Sequence, residues 1–226
     1  HPKESNLLFP KVVKAAPKVM IFAHLDQMGL IVRRIDEDGY LRVERVGGVP
    51  ERVLPGLNMI VLNDRGQALP CVVGTKAHHA TPQEEKGKVL GVDKLYFDLG
   101  VDSAEAVAEL GIQIGAPITY RPQFGRLQGQ RITGTALDDR AGCAALMELL
   151  HTLLKTPAPA TLHAVFSVQE EFNLRGVLPA ATRCAPDIAL QIDLLLACDT
   201  PDMASRGEVT MGGGPGMSLY SFHGRG

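Results

Sequence analysis

The sequence predicts an α/β fold interrupted by a β insertion, and three observations carry that prediction. Short apolar runs suited to a buried sheet lie at 18–24, 160–169 and 187–193. Each delivers a histidine or carboxylates at its C-terminal end, where open α/β sheets bind ligands. Between the first two runs, residues 28–127 instead show segments that alternate apolar and polar residues, the pattern of half-buried antiparallel strands.

KVMIFAH (18–24) is the first buried strand and ends at His24 and Asp26. LIVRRIDEDGYLRVERVGG (30–48) alternates on both sides of Asp38-Gly39, a hairpin signal. NMIVLND (58–64) and LPCVVGTK (69–76) flank Asp64-Arg65-Gly66 as a second hairpin, and 94–100 and 117–123 read as further strands. SAEAVAELG (103–111) is a short helix with Ser103 as N-cap and Gly111 as stop. Residues 28–127 therefore read as a small, mostly β domain inserted between 1–27 and 128–226.

From 139 to 155 the apolar positions Cys143, Leu146, Met147, Leu150, Leu153 and Leu154 form a helical stripe, closed by Pro157 and Pro159. ATLHAVFSVQ (160–169) is a strand running into Glu170-Glu171. LRGVLPAAT (174–182) predicts a short helix that Pro179 confines to one side or the other. DIALQID (187–193) is another buried strand, and GMSLYS (216–221) begins one more.

Composition narrows the function. The 226 residues are 45% hydrophobic and 21% charged with a net charge of −2, so a packed core is expected and no basic excess supports binding to nucleic acid. No apolar run approaches the ~20 residues that span a bilayer, and no membrane association is expected. Cys71, Cys143, Cys184 and Cys198 form no C-x-x-C pair, which points to reduced thiols and a cytoplasmic protein.

Four clusters can carry chemistry. In His24-Leu25-Asp26 the two polar residues share a strand face, so Asp26 can orient a metal-binding His24; a loop histidine beside a solvated aspartate is the plainer reading. Asp138-Asp139 offers a carboxylate able to bridge two cations, or simply an N-cap for the helix that follows. Glu170-Glu171 can divide the roles of metal ligand and general base, or be a solvated strand end. Asp193 follows an apolar strand, where a bare carboxylate is costly unless paired or metal-bound. His78-His79 read as a surface pair and His151 and His163 as structural residues, and His223, in a glycine-rich tail, has no partner pattern. No G-x-S-x-G or H-E-x-x-H motif occurs.

Taken in order, AHLDQMG (23–29), TALDDR (135–140), VQEEFNLRG (168–176) and QID (191–193) resemble metallopeptidase family forty-two, as do GVPERVLPG, VVGTKAHH and the GGGP segment. That family holds glutamyl and deblocking aminopeptidases and tetrahedral dodecameric aminopeptidases, some under an older endoglucanase label. The resemblance implies an α/β/α sandwich catalytic domain with an inserted β-barrel-like domain that serves oligomerisation. It implies two divalent ions, zinc or cobalt with manganese as an alternative. His24 and Asp193 would each hold one ion, Asp138 would bridge them, and Glu171 would bind the second. Glu170 would be the general base and Asp26 would orient His24. A peptide substrate and a homo-oligomer, from dimer to dodecamer, follow from the same likeness. The family usually has Glu at Gln27 and Gly at Asn173, and often Asn at Asp139. Its final histidine ligand is expected beyond Gly226, and the catalytic domain is expected to be incomplete at both ends.

Three other readings use the same residues. A glycoside hydrolase would need paired carboxylates but no His24, and the absence of Trp argues against a sugar platform. An amidase or deacylase of small molecules would use the same metal centre. A non-catalytic relative would keep only the fold.

Overall fold

The computed structural model describes residues 16–156 and 158–218. The chain forms two compact units, one up to Asp26 and resuming at Asp138, the other Gln27–Leu137.

The first strand, β1 (Lys18–His24), belongs to the first unit. The second unit then opens with β2 (Gly29–Ile35) and β3 (Leu41–Val46), paired antiparallel. Their turn closes where Gly39 sits at φ 84° and donates its N–H to Asp36 O at 3.0 Å. Glycine takes that left-handed conformation without a Cβ penalty. The second hairpin joins β4 (Asn58–Leu62) to β5 (Ala68–Gly74). There the Asn63 side-chain oxygen accepts from the N–H groups of Arg65 and Gln67, an Asx turn that the chain builds from its own side chain.

Next come β6 (Tyr96–Asp98), α1 (Ala104–Glu109) and β7 (Pro117–Tyr120). Six strands close into a barrel in the order β2-β3-β6-β5-β4-β7. Closure pairs the edges that an open sheet would leave exposed. The alternation in the sequence becomes the inside and outside of this barrel. Leu30, Val32, Leu41, Val43, Met59, Val61, Cys71, Val73, Phe97 and Ile118 fill its core. Ser103 caps α1 by accepting from Ala106 N at 3.2 Å, and Gly111 ends it at φ 76°. Val107 of α1 is fully buried in the barrel core.

The same unit carries a hairpin not anticipated from the sequence, β8 (Phe124–Arg126) with β9 (Ile132–Gly134). Its strands are three residues each and largely exposed, so no buried alternation marks them.

The first unit resumes with α2 (Leu137–Lys155), β10 (Thr161–Ser167), α3 (Val177–Cys184) and β11 (Ile188–Gln191). Its strands form a parallel sheet in the order β10-β1-β11. Cys143 and Leu146 of α2 pack on Ala23 of β1, with Ile21, Leu149, Ala164, Phe166 and Ile192 around them. Met147 and Leu154, expected on the buried stripe, are exposed instead. The inward line follows steps of three and four through Leu146, and both residues fall on its flank.

Pro179 does not divide α3. It is the third residue of the helix, within the first turn, where a missing N–H deprives no carbonyl of an intrahelical bond. Of the strand expected over 216–221, residues 216–218 form none and the rest lie outside the described residues, as does His223. Among the described residues no helix is long and apolar enough to cross a membrane.

Candidate metal centre

Parallel pairing brings the C-terminal ends of β1, β10 and β11 to one edge of the sheet. The register sets His24 beside Ser167, and Phe22 beside Gln191. Residues far apart in sequence therefore converge just past the strand ends.

His24 is 2% exposed. Its Nδ1 lies 3.2 Å from the Asp26 carbonyl oxygen, an acceptor to which a protonated Nδ1 donates. The opposite nitrogen, Nε2, faces Asp138 Oδ1 at 3.0 Å and Glu170 Oε2 at 3.7 Å. The Asp26 carboxylate is farther from the ring, 3.6 Å from Nδ1. Its two oxygens accept instead from consecutive backbone N–H groups, Glu170 at 3.1 Å and Glu171 at 3.3 Å.

Asp138 and Asp139 take opposite parts. Both have non-helical backbone angles, and the peptide between them is cis. Asp139 is fully buried and accepts from Gly142 N at 3.1 Å, the N-cap geometry that the sequence offered as one alternative. Asp138 is left to face His24. Asp193 comes two residues after β11 ends, its oxygens accepting from Gln191 Nε2 and Leu194 N, both at 2.7 Å. Ligand atoms of His24, Asp138 and Asp193 all lie within 4.8 Å of one another.

The loop after β10 is shaped by its backbone. Gln169, Asn173 and Leu174 all have positive φ, and Arg175 N donates back to Gln169 O at 3.0 Å. Asn173 is at φ 66°, a conformation that asparagine tolerates better than most residues. At Gly176 any Cβ would run into the Val168 backbone, so only glycine allows this return. Gln27 donates its side-chain N–H to Thr119 Oγ1 at 2.6 Å within the barrel unit.

The electrostatics favour positive charge. Burial alone would lower the pKa of His24, but Glu170, Asp193, Asp139 and Asp26 more than offset it and the net shift is upward. Glu171 is raised by burial and then by the like charges of Asp138 and Glu170. Asp139 is pushed up to about 6, chiefly by burial. Among the described residues no lysine or arginine forms an ion pair with Asp138, Glu171 or Asp193. Oxygen donors and one imidazole gathered in this way fit a divalent metal ion.

Two contacts were not read from the sequence. Asp139 Oδ2 accepts from His24 N at 3.2 Å, and the Cys143 thiol donates to His24 O at 3.1 Å. Cys143 carried only the signal of an apolar helix position, and the Asp138-Asp139 pair those of a cap or a cation-bridging carboxylate.

A parallel sheet with a His/Asp/Asp cluster at its C-terminal edge, in a chain that also builds a closed six-stranded barrel, defines a class that the comparisons make specific. Residues 6–223 match the M42 glutamyl aminopeptidase family, and the chain belongs to it. SgcX of Escherichia coli (strain K12) is 37% identical over 211 residues, covering 93% of this chain and 56% of SgcX. The aminopeptidase APDkam598 from the archaeon Desulfurococcus kamchatkensis aligns with a TM-score of 0.77 at 35% identity, over 84% of this chain and 51% of that one. The TET1 peptidase of Pyrococcus horikoshii, which can assemble into a tetrahedron or a large octahedral shell, aligns with a TM-score of 0.74 at 30% identity, over 83% and 56%. The chain spans a little over half the length of the curated relatives it matches.

Proposed function

We propose that this chain carries the metal centre of a two-metal aminopeptidase that removes N-terminal residues from peptides. One observation carries the reading: ligand atoms of His24, Asp138 and Asp193 converge within 4.8 Å, and Glu170 stands 3.7 Å from His24 Nε2. His24 and Asp193 would each hold one ion, Asp138 would bridge them, and Glu171 would bind the second. Divalent ions at such a site lower the pKa of water and polarise the scissile carbonyl.

The chain's own residues do the rest. Glu170 accepts a proton from the attacking water as its oxygen bonds to the carbonyl carbon. It returns that proton to the departing amine nitrogen as the C–N bond breaks. Asp26 holds the backbone of both glutamates, and the Asp26 carbonyl holds the His24 ring in the tautomer that leaves Nε2 toward the carboxylates. A central imidazole among the carboxylates favours this reading over a glycoside hydrolase, which has no use for it. Zinc or cobalt suits the donor set, with manganese as the alternative. We further propose a cytoplasmic homo-oligomer, on the strength of the TET1 likeness and the four free thiols.

The test is hydrolysis of a panel of aminoacyl-p-nitroanilides with and without added zinc or cobalt, comparing wild type with Glu170→Gln. Metal-dependent turnover that falls by about 10²- to 10⁴-fold in Glu170→Gln is the expected result. Metal uptake without turnover of any substrate in the panel would overturn the aminopeptidase reading.

A further inference from the structure

The backbone of His24 lies where its sheet partner has stopped. On the β11 side of β1, pairing ends at Phe22 with Gln191, and Phe22 O accepts from Ile192 N at 2.8 Å. Residues two apart in a strand present their N–H and C=O groups to the same side. The N–H and C=O of His24 therefore face that side beyond the end of β11. Both find side chains of α2 there: Asp139 Oδ2 accepts from His24 N at 3.2 Å, and the Cys143 thiol donates to His24 O at 3.1 Å. The other Asp139 oxygen caps α2 through Gly142 N, at the helix end where Asp138 meets the imidazole.

We infer that Asp139, assisted by Cys143, is a positioning residue that locks the two ligands His24 and Asp138 to each other, in addition to capping α2. The inference rests on the metal reading above. One oxygen of the buried carboxylate holds the strand end that bears His24, and the other holds the helix start that bears Asp138. A buried carboxylate is costly to maintain, and a serine or threonine would cap the helix as well. What those residues lack is the second oxygen that reaches the strand. Gly142 belongs to the same device, because a Cβ there would collide with the Asp139 carboxylate.

Asp139→Ser keeps a capping oxygen but cannot span to His24 N. Gly142→Ala leaves Asp139 intact, improves helix propensity and displaces the carboxylate. Zinc affinity of the full chain would be measured by competition with a chromophoric chelator. The melting temperature of the metal-free protein and amide hydrogen exchange at His24 would be measured alongside.

Both variants are expected to lose about ten- to hundredfold in zinc affinity, the range for residues that hold a ligand rather than the metal. Exchange at His24 should quicken, while the melting temperature of Asp139→Ser stays close to wild type. Zinc affinity within twofold of wild type in folded Asp139→Ser and Gly142→Ala would overturn the inference while leaving the metal reading intact. A wild-type chain that takes up no zinc would overturn the metal reading, and unchanged exchange at His24 in the variants would then overturn the positioning role as well. If Asp139→Ser does not fold, Gly142→Ala decides on the same two readouts.

Discussion

His24 Nε2 and Asp138 Oδ1 lie 3.0 Å apart across a chain separation of 114 residues, within which a whole barrel is built. The separation is bridged by two local devices, the C-terminal end of a buried strand and the first residues of a helix. Substituting either residue should therefore act on cation binding before it acts on the fold. Asp138→Asn keeps the shape and removes the charge. It is expected to weaken zinc binding by more than the ~10- to 100-fold that outlying partners cost, with the far-ultraviolet circular dichroism unchanged. Zinc affinity equal to wild type would remove Asp138 from the ligand set.

Asp26 touches the glutamate pair through the backbone. Asp26→Ala would free the N–H groups of Glu170 and Glu171 and leave the His24 ring its carbonyl contact. Hydrogen bonds to a charged acceptor are each worth about 1.5–3 kcal/mol, so the loop should loosen. The expected signature in turnover assays is a reduced kcat with KM little changed, and faster amide exchange at 170 and 171. A variant with wild-type kcat would show that the glutamates hold themselves in place.

The Cys71 thiol sits in the barrel core, 2% exposed, and burial pushes its pKa up to about 12. It stays protonated and inaccessible throughout the physiological range. Treatment of the folded protein at pH 8 with iodoacetamide, followed by peptide mapping, should leave Cys71 unlabelled and label it fully in denaturant. Labelling in the native state would mean that the barrel opens readily.

Asp36 offers a pH prediction. Partial burial pushes its pKa up, but hydrogen bonds from Arg42 and Arg34 outweigh this, and the net direction is down. Arg42 Nε lies 2.6 Å from one oxygen and Arg34 Nε 2.8 Å from the other. A carboxyl with a depressed folded pKa adds stability that is present above its unfolded value, about 3.9, and is lost as pH falls through the folded one. Asp36→Asn should cost about 1 kcal/mol at pH 7, and the gap to wild type in urea melts should close as pH falls below the ordinary carboxylate range. A gap independent of pH would assign the cost to shape rather than charge.

Much of this architecture was legible because short-range rules govern it. Alternation over 30–48, divided by Asp38-Gly39, specified both a hairpin and the face it buries, since strand side chains repeat every two residues. Ser103 and Gly111 marked the ends of α1 for equally local reasons. The β8–β9 hairpin was not legible, because three-residue exposed strands carry no burial pattern. Pro179 misled for a related reason: its effect depends on its position within the helix, which a boundary error of two residues reverses.

The sequence by itself determined the α/β class, the inserted strands and four candidate clusters, three at strand ends and one at a helix start, because propensity, periodicity and turn chemistry act over a few residues. Whether Asp138 or Asp139 would cap the helix was open in one dimension, and Asp26 was read only as a partner for His24. Only the tertiary structure decided that Asp139 turns inward to cap α2 and meet the His24 backbone, that Asp138 faces the ring, and that Asp26 reaches across to the glutamates. Apart from the local cap, these are contacts between chain segments more than a hundred residues apart, and their geometry depends on strand register and on where β11 ends.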